Sequence, residues 1–129
     1  MARRKGGKIL IVDDEKNIRH LVRSMVSKEN TVIEAEDGEV AIYMARRHKP
    51  DLILMDIMMP KMDGYTACKT IKMGPITRAI PVVMLTAVGY ELNVELARGM
   101  GADGYITKPF SQQNLLDMIA RFLKVPTEK

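Results

Sequence analysis

Residues 52–64 read LILMDIMMPKMDG. Leu52 to Met55 run without a polar interruption and end on Asp56. A strand wetted on one side would alternate apolar with polar residues. A continuous run of this length instead marks a strand covered on both faces, as in a parallel sheet. A stretch of helix length follows at 64–73, with Ala67, Cys68 and Ile71 spaced to face inward.

The same alternation recurs to either side. Further apolar runs are KILIV (8–12), TVIEA (31–35), PVVMLT (81–86) and GYIT (104–107). Between them lie helix-length segments. Residues 15–28 carry Ile18, Leu21, Val22, Met25 and Val26 on one apolar face. Residues 38–48 carry Val40, Ala41, Met44 and Ala45 after Asp37, an N-cap type. Residues 90–100 carry Leu92, Leu96, Ala97 and Met100 before a stop at Gly101. Residues 112–124 follow Ser111 as N-cap and carry Leu115, Leu116, Ile119 and Leu123, with Pro126 beyond. Five strand–helix units in strict alternation predict an α/β fold, a parallel sheet with helices on both faces.

The chain of 129 residues is one domain's length, with 47% hydrophobic residues to form a core and 28% charged residues to keep it soluble. The expected organisation is a basic tail at 1–7, a folded body at 8–124 and a tail at 125–129, with no second output domain. One cysteine, Cys68, excludes a disulfide framework and a Cys-rich zinc site. No apolar run approaches a membrane span, and ILIV (9–12) is too short for a signal peptide. These features predict a cytoplasmic protein with no membrane partner. The net charge of +4 comes from Arg3, Arg4, Lys5 and Lys8, which leaves sixteen charges of each sign in the body. With no Trp, four Tyr and two Phe, no stacking platform or basic face suggests direct nucleic-acid binding. The eleven methionines are scattered; Met25, Met44, Met55, Met84 and Met100 fall at core positions and read as gap-filling side chains.

In open α/β sheets, ligands bind at the carboxyl ends of the strands. The residues there are Asp13, Asp14 and Glu15 after strand 1, Asp56 ending strand 3, Thr86 ending strand 4 and Lys108 after strand 5. Converging carboxylates repel one another, and a partly buried set needs compensation. A hard divalent cation such as Mg²⁺ or Mn²⁺ suits all-oxygen ligands. Lys108 can reach a carboxylate or phosphate, and the Thr86 hydroxyl can bond an anionic oxygen. A metal, a lysine and a hydroxyl around a carboxylate form a phosphoryl-handling set, with Asp as covalent acceptor. Each residue alone has a plainer reading as a cap, a turn or a packed side chain. Their placement on one sheet edge, in four different units, is what singles them out.

ILIVDDE (9–15), LILMDIMMPKMDG (52–64), PVVMLTA (81–87) and GADGYITKPF (101–110) together resemble the motifs of the response-regulator receiver domain, the CheY-like family. The resemblance covers about residues 8–124. It implies a flavodoxin-like (βα)5 fold with strand order 2-1-3-4-5. It implies that Asp56 is phosphorylated by a histidine kinase or histidine phosphotransfer protein. Asp13, Asp14, Asp56 and the backbone carbonyl of Met58 would hold Mg²⁺. Lys108 would pair with the phosphoryl oxygens, Thr86 would bond them, and Tyr105 would be the aromatic switch. A cis Lys108–Pro109 peptide would turn Lys108 back toward Asp56. Such a module is a phosphoacceptor switch with self-catalysed phosphorylation and slow autodephosphorylation, not a turnover enzyme. Its readout to a downstream protein would be the face of the helix at 90–100, strand 5 and the last helix, as a monomer or a phosphorylation-dependent dimer. On the last helix, Met118 and Phe122 read chiefly as core. The rival reading, a Mg²⁺-dependent phosphohydrolase with an aspartyl-phosphate intermediate, would want an acid two residues after its nucleophile, where Met58 stands, and an inserted cap domain.

Overall fold

A computed structural model describes residues 6–87, 95 and 98–123, with Thr86 and Ala87 described by backbone only. The strands are β1 (Lys8–Val12), β2 (Thr31–Ala35), β3 (Leu52–Asp56), β4 (Val82–Ala87) and β5 (Gly104–Lys108). Four helices are described: α1 (Lys16–Val26), α2 (Gly38–His48), α3 (Gly64–Met73) and α4 (Gln112–Phe122). All pairings are parallel and the strand order is β2-β1-β3-β4-β5. This is the flavodoxin-like order the motifs imply. The helix expected over 90–100, with Leu92, Leu96 and Ala97, lies largely outside the described residues.

The two-residue period of the strands divides the core in two. Leu10, Val12, Ile53, Met55, Val82 and Met84 pack on Ala41 and Ala45 of α2 and Ala67, Cys68 and Ile71 of α3. Ile9, Ile11, Leu52, Leu54, Val83 and Leu85 pack on Val22 and Val26 of α1 and Leu115 and Ile119 of α4. Both faces of β3 are therefore covered, as its unbroken apolar run requires. Each fully buried Leu or Ile contributes ~1.5–3 kcal/mol relative to an exposed one. Met55 and Met84 are fully buried, whereas Met25 and Met44 are partly buried against the two halves. Met118 and Phe122 pack partly buried on the second half.

Helix starts follow their caps. Asp37 accepts from Val40 N–H at 2.9 Å, Asp63 from Thr66 N–H at 2.8 Å and Ser111 from Asn114 N–H at 3.0 Å. Two details differ from the pattern. Strand 4 runs one residue later than the apolar run. Leu21, grouped with the inward face of α1, is 48% exposed. It precedes Val22 and so stands about 100° around the helix from it. Ile18, Val22, Met25 and Val26 fill the contact without Leu21.

Strand order reverses at β1, which pairs with β2 on one side and β3 on the other. That switch point opens a crevice beyond the ends of β1 and β3.

Candidate phosphoryl-handling site

β1 delivers Asp13 into this crevice. Its N–H continues the ladder by donating to the carbonyl of Ala35 at 3.2 Å. Its Oδ1 accepts from Glu15 N–H at 2.9 Å, which turns the chain into α1. Glu15 makes no side-chain cap bond of its own, so Asp13 organises this corner. Asp13 is 1% exposed, and its Oδ2 has no hydrogen-bond partner among the described residues. Asp14, next along, is exposed.

β3 delivers Asp56, which is also buried. Lys108, at the end of β5, donates from Nζ to Asp56 Oδ1 at 2.9 Å and lies 3.9 Å from Asp13 Oδ2. The Lys108–Pro109 peptide is cis. Asp13, Asp14 and Asp56 each place a carboxylate oxygen so that all three lie within 4.8 Å of one another. The sequence thus brings four of its candidates together from three strands.

The electrostatics follow from that crowding. Burial pushes the Asp13 carboxyl up to about 6. The Glu15 amide and Lys108 oppose the rise, while Asp56 and Asp14 reinforce it. Burial likewise pushes Asp56 up, against the Lys108 hydrogen bond and charge and with the repulsion of Asp14. One lysine does not neutralise three carboxylates. A second, compact positive charge fits the set: all donors are oxygens, and one is a buried oxygen without a partner.

The segment after β3 is held close. Gly64 N–H donates to the carbonyl of Ile57 at 2.8 Å. A Cβ at Gly64 would run into the Asp56 carbonyl and the Ile57 Cα, so α3 can start this near Asp56 only with glycine there. Lys61 takes a left-handed conformation, φ 67°, and pairs with Asp37 at 3.7 Å. Met58 is 74% exposed beside the crevice.

Thr86 lies in β4 and its backbone pairs with Thr107 of β5. Its side chain, and Val88, lie outside what is described. Tyr105 sits on β5 opposite Met84, 38% exposed at the sheet edge. Cys68 is fully buried, and burial pushes its thiol up to about 11, which makes it an inert packing group. His20 is exposed and takes no part in the cluster.

Three contributors were not picked out from the sequence. Gly64 could have been suspected from the Asp-Gly that opens α3. Arg19 and Glu34 could not, because their meeting joins α1 to β2 through tertiary packing.

Comparison with known proteins supports a family assignment. The family model for the response regulator receiver domain matches residues 9–120. The chain is 40% identical over 118 residues to the alkaline phosphatase synthesis transcriptional regulatory protein PhoP of Bacillus subtilis, covering 91% of this chain and 48% of that one. It is 39% identical over 116 residues to the chemotaxis protein CheY of Halobacterium salinarum, covering 89% of this chain and 95% of that one. Among solved structures, the receiver domain of a sensor histidine kinase from Pseudomonas aeruginosa superposes with a TM-score of 0.86 at 30% identity, covering 92% of this chain and 98% of that one. That structure has a magnesium ion coordinated in its active-site cleft. The chain spans about half the length of several transcriptional regulators it matches.

Proposed function

Because the chain belongs to the response regulator receiver family, and so is a receiver domain of two-component signalling, we propose that Asp56 is its phosphoacceptor. The observation that carries this reading is the meeting of Asp13, Asp14 and Asp56 within 4.8 Å, with Lys108 on Asp56 at 2.9 Å.

The donor is a phosphohistidine on a histidine kinase or phosphotransfer protein. An Asp56 carboxylate oxygen attacks phosphorus, the new O–P bond forms as the N–P bond to imidazole breaks, and the imidazole leaves with the electron pair. Asp13, Asp14, Asp56 and the carbonyl of Met58 would hold Mg²⁺, with Mn²⁺ as a substitute, and the bound cation would supply charge neutralisation at the phosphoryl oxygens. Lys108 stands ready to exchange its carboxylate partner for a phosphoryl oxygen. The burial of Asp13 and Asp56 lowers the local dielectric around them, which strengthens both contacts. The magnesium ion coordinated in the active-site cleft of the related receiver domain supports a cation at this site.

Phosphorylation of Asp56 replaces one negative carboxylate with a larger, more highly charged acyl phosphate. The Thr86 hydroxyl then bonds that anion, and Tyr105, half-exposed on β5, turns into the space released. The β5 edge and α4 carry the change to a protein partner. Among the described residues, no helix is long and apolar enough to cross a membrane.

The test is phosphorylation by a small acyl phosphate with Mg²⁺. The parent acquires one acid-stable, base-labile phosphoryl group, mapped to the peptide containing Asp56, and Asp56→Asn acquires none. Equal labelling of Asp56→Asn would overturn the assignment. Sustained release of phosphate from a generic ester would overturn the switch in favour of a hydrolase.

A further inference from the structure

Asp13 is held at more points than its place at a strand end requires. Its N–H is taken by Ala35, and its Oδ1 takes Glu15 N–H. Its carbonyl accepts a third bond, from Nη1 of Arg19 at 2.8 Å. Arg19 is in turn fixed by Glu34 on the edge strand β2, Nε to Oε1 at 2.8 Å. The other oxygen of Glu34 takes Nε of Arg23 at 2.7 Å. Arg19 is the more enclosed of the two arginines, 14% exposed against 44% for Arg23. Burial alone would push the Glu34 carboxyl up, but the two guanidinium groups outweigh it and hold it below its ordinary value. Glu34 therefore stays charged and keeps its grip at neutral pH.

An ion pair for Glu34 needs only Arg23. What Arg19 adds is the bond to the Asp13 backbone. With the N–H, the carbonyl and Oδ1 all engaged, the peptide unit after Asp13 is held in place, and Oδ2 is left without a hydrogen-bond partner among the described residues, with Lys108 3.9 Å away. Asp14 hangs from that same peptide unit, so its Cα, and with it the base of its carboxylate, is placed by the same bond. We propose that Arg19 is a positioning residue for the cation site, holding the Asp13–Asp14 turn through the Asp13 carbonyl with Glu34 as its anchor. This rests on the reading of Asp13, Asp14 and Asp56 as the Mg²⁺ ligands.

The sign of the effect separates positioning from charge. Arg19 is a cation near a cation site, so by Coulomb's law its removal tightens Mg²⁺ binding. Loss of an outer hydrogen bond that orients a ligand weakens metal binding, typically by about tenfold or more. The experiment is calorimetric titration of the full 129-residue chain with MgCl₂, alongside the metal-free melting temperature of each variant. Arg19→Leu is expected to bind Mg²⁺ about tenfold more weakly than the parent. Arg19→Lys keeps the charge but lacks the planar fork that spans Glu34 and the carbonyl, and it is expected to weaken binding as well. Arg23→Leu loses a Glu34 bond and some melting temperature, yet is expected to match the parent in Mg²⁺ affinity. If Arg19→Leu does not fold, Arg19→Lys carries the comparison.

Three results overturn the proposal. One is Arg19→Leu binding as tightly as the parent or tighter. Another is Arg19→Lys matching the parent, since charge then suffices. The third is Arg23→Leu losing as much affinity as Arg19→Leu, which places the effect in the Glu34 pair. A parent chain that binds no Mg²⁺ is a different result: it removes the reading of the site itself.

Discussion

The ammonium of Lys108 and the carboxylate of Asp56 meet at 2.9 Å across 52 residues of sequence. They come from β5 and β3, with β4 between them in the sheet. The contact is only 34% exposed on the lysine side, so it is not a solvent-screened surface pair. Lys108→Met removes a preorganised donor at the phosphoryl oxygens, and one such donor is typically worth ~10²-fold in rate. The expected outcome is slower phosphorylation by a small acyl phosphate at saturating Mg²⁺. A rate equal to the parent's would remove Lys108 from the reaction.

The Asp13 carboxyl has a pKa of about 6 in the fold against an ordinary 3.8. The folded chain therefore holds this proton more tightly than the unfolded chain does. Stability from Asp13 is fully present below pH 3.8 and is lost as pH rises toward 6 and beyond. A difference of that size corresponds to up to ~3 kcal/mol. Burial pushes Asp56 in the same direction. The metal-free chain in EDTA is thus expected to have a higher urea midpoint at pH 5 than at pH 7.5. Asp13→Asn flattens the slope. A midpoint that climbs over that interval contradicts the crowding of these carboxylates.

Mg²⁺ should reverse the slope, because it binds only the deprotonated set. At a hundredfold excess over Kd, linkage gives the folded chain ~2.7 kcal/mol. Asp13→Asn and Asp14→Asn are each expected to lose most of the Mg²⁺-induced rise in melting temperature. Retention of the full rise in both variants would place the cation elsewhere.

Gly64→Ala puts a Cβ into backbone at Asp56 and Ile57. Backbone cannot step aside as a flexible side chain can, and forced overpacking costs ~1–3 kcal/mol. Both stability and phosphorylation are expected to fall. The matched control is Gly99→Ala, where a Cβ meets nothing within 4 Å and the change is neutral or mildly stabilising. Equal behaviour of the two would show that α3 can withdraw from the acceptor at no cost.

Loss of phosphate from Asp56 needs a water in line with phosphorus. Met58 and Val88, two residues after Asp56 and Thr86, offer no useful hydrogen bond to such a water. The phosphorylated form is expected to be long-lived, and the double variant Met58→Asn, Val88→Glu to lose phosphate faster at saturating Mg²⁺. An unchanged half-life in the double variant puts the control of lifetime elsewhere.

Strand positions were legible because burial on both faces leaves an unbroken apolar run, and LILM before Asp56 is the plainest case. The site was legible for a related reason. Asp13 and Asp56 directly follow or end such runs, and Lys108 follows the shorter GYIT stretch of the half-covered edge strand β5, so locating the strands located the residues. The register of α1 was less so: Leu21 is as apolar as its neighbours, and only the packed sheet decides which of them it covers. Arg19 and Glu34 were illegible, since charged residues on a helix and an edge strand read as solvated until their elements meet. The local signal at Gly64 was present, but the reason for it is the Asp56 carbonyl, which only the fold brings near.

The acidic pair after β1 stands near the start of the chain, and Lys108 stands near the end of the described residues. During synthesis, then, Asp56 lacks its Lys108 partner until β5 has left the ribosome and docked on β4. A nascent or truncated chain ending before β5 would present crowded aspartates without the ammonium that meets Asp56. The ammonium therefore joins the carboxylates only once β5 has docked on β4.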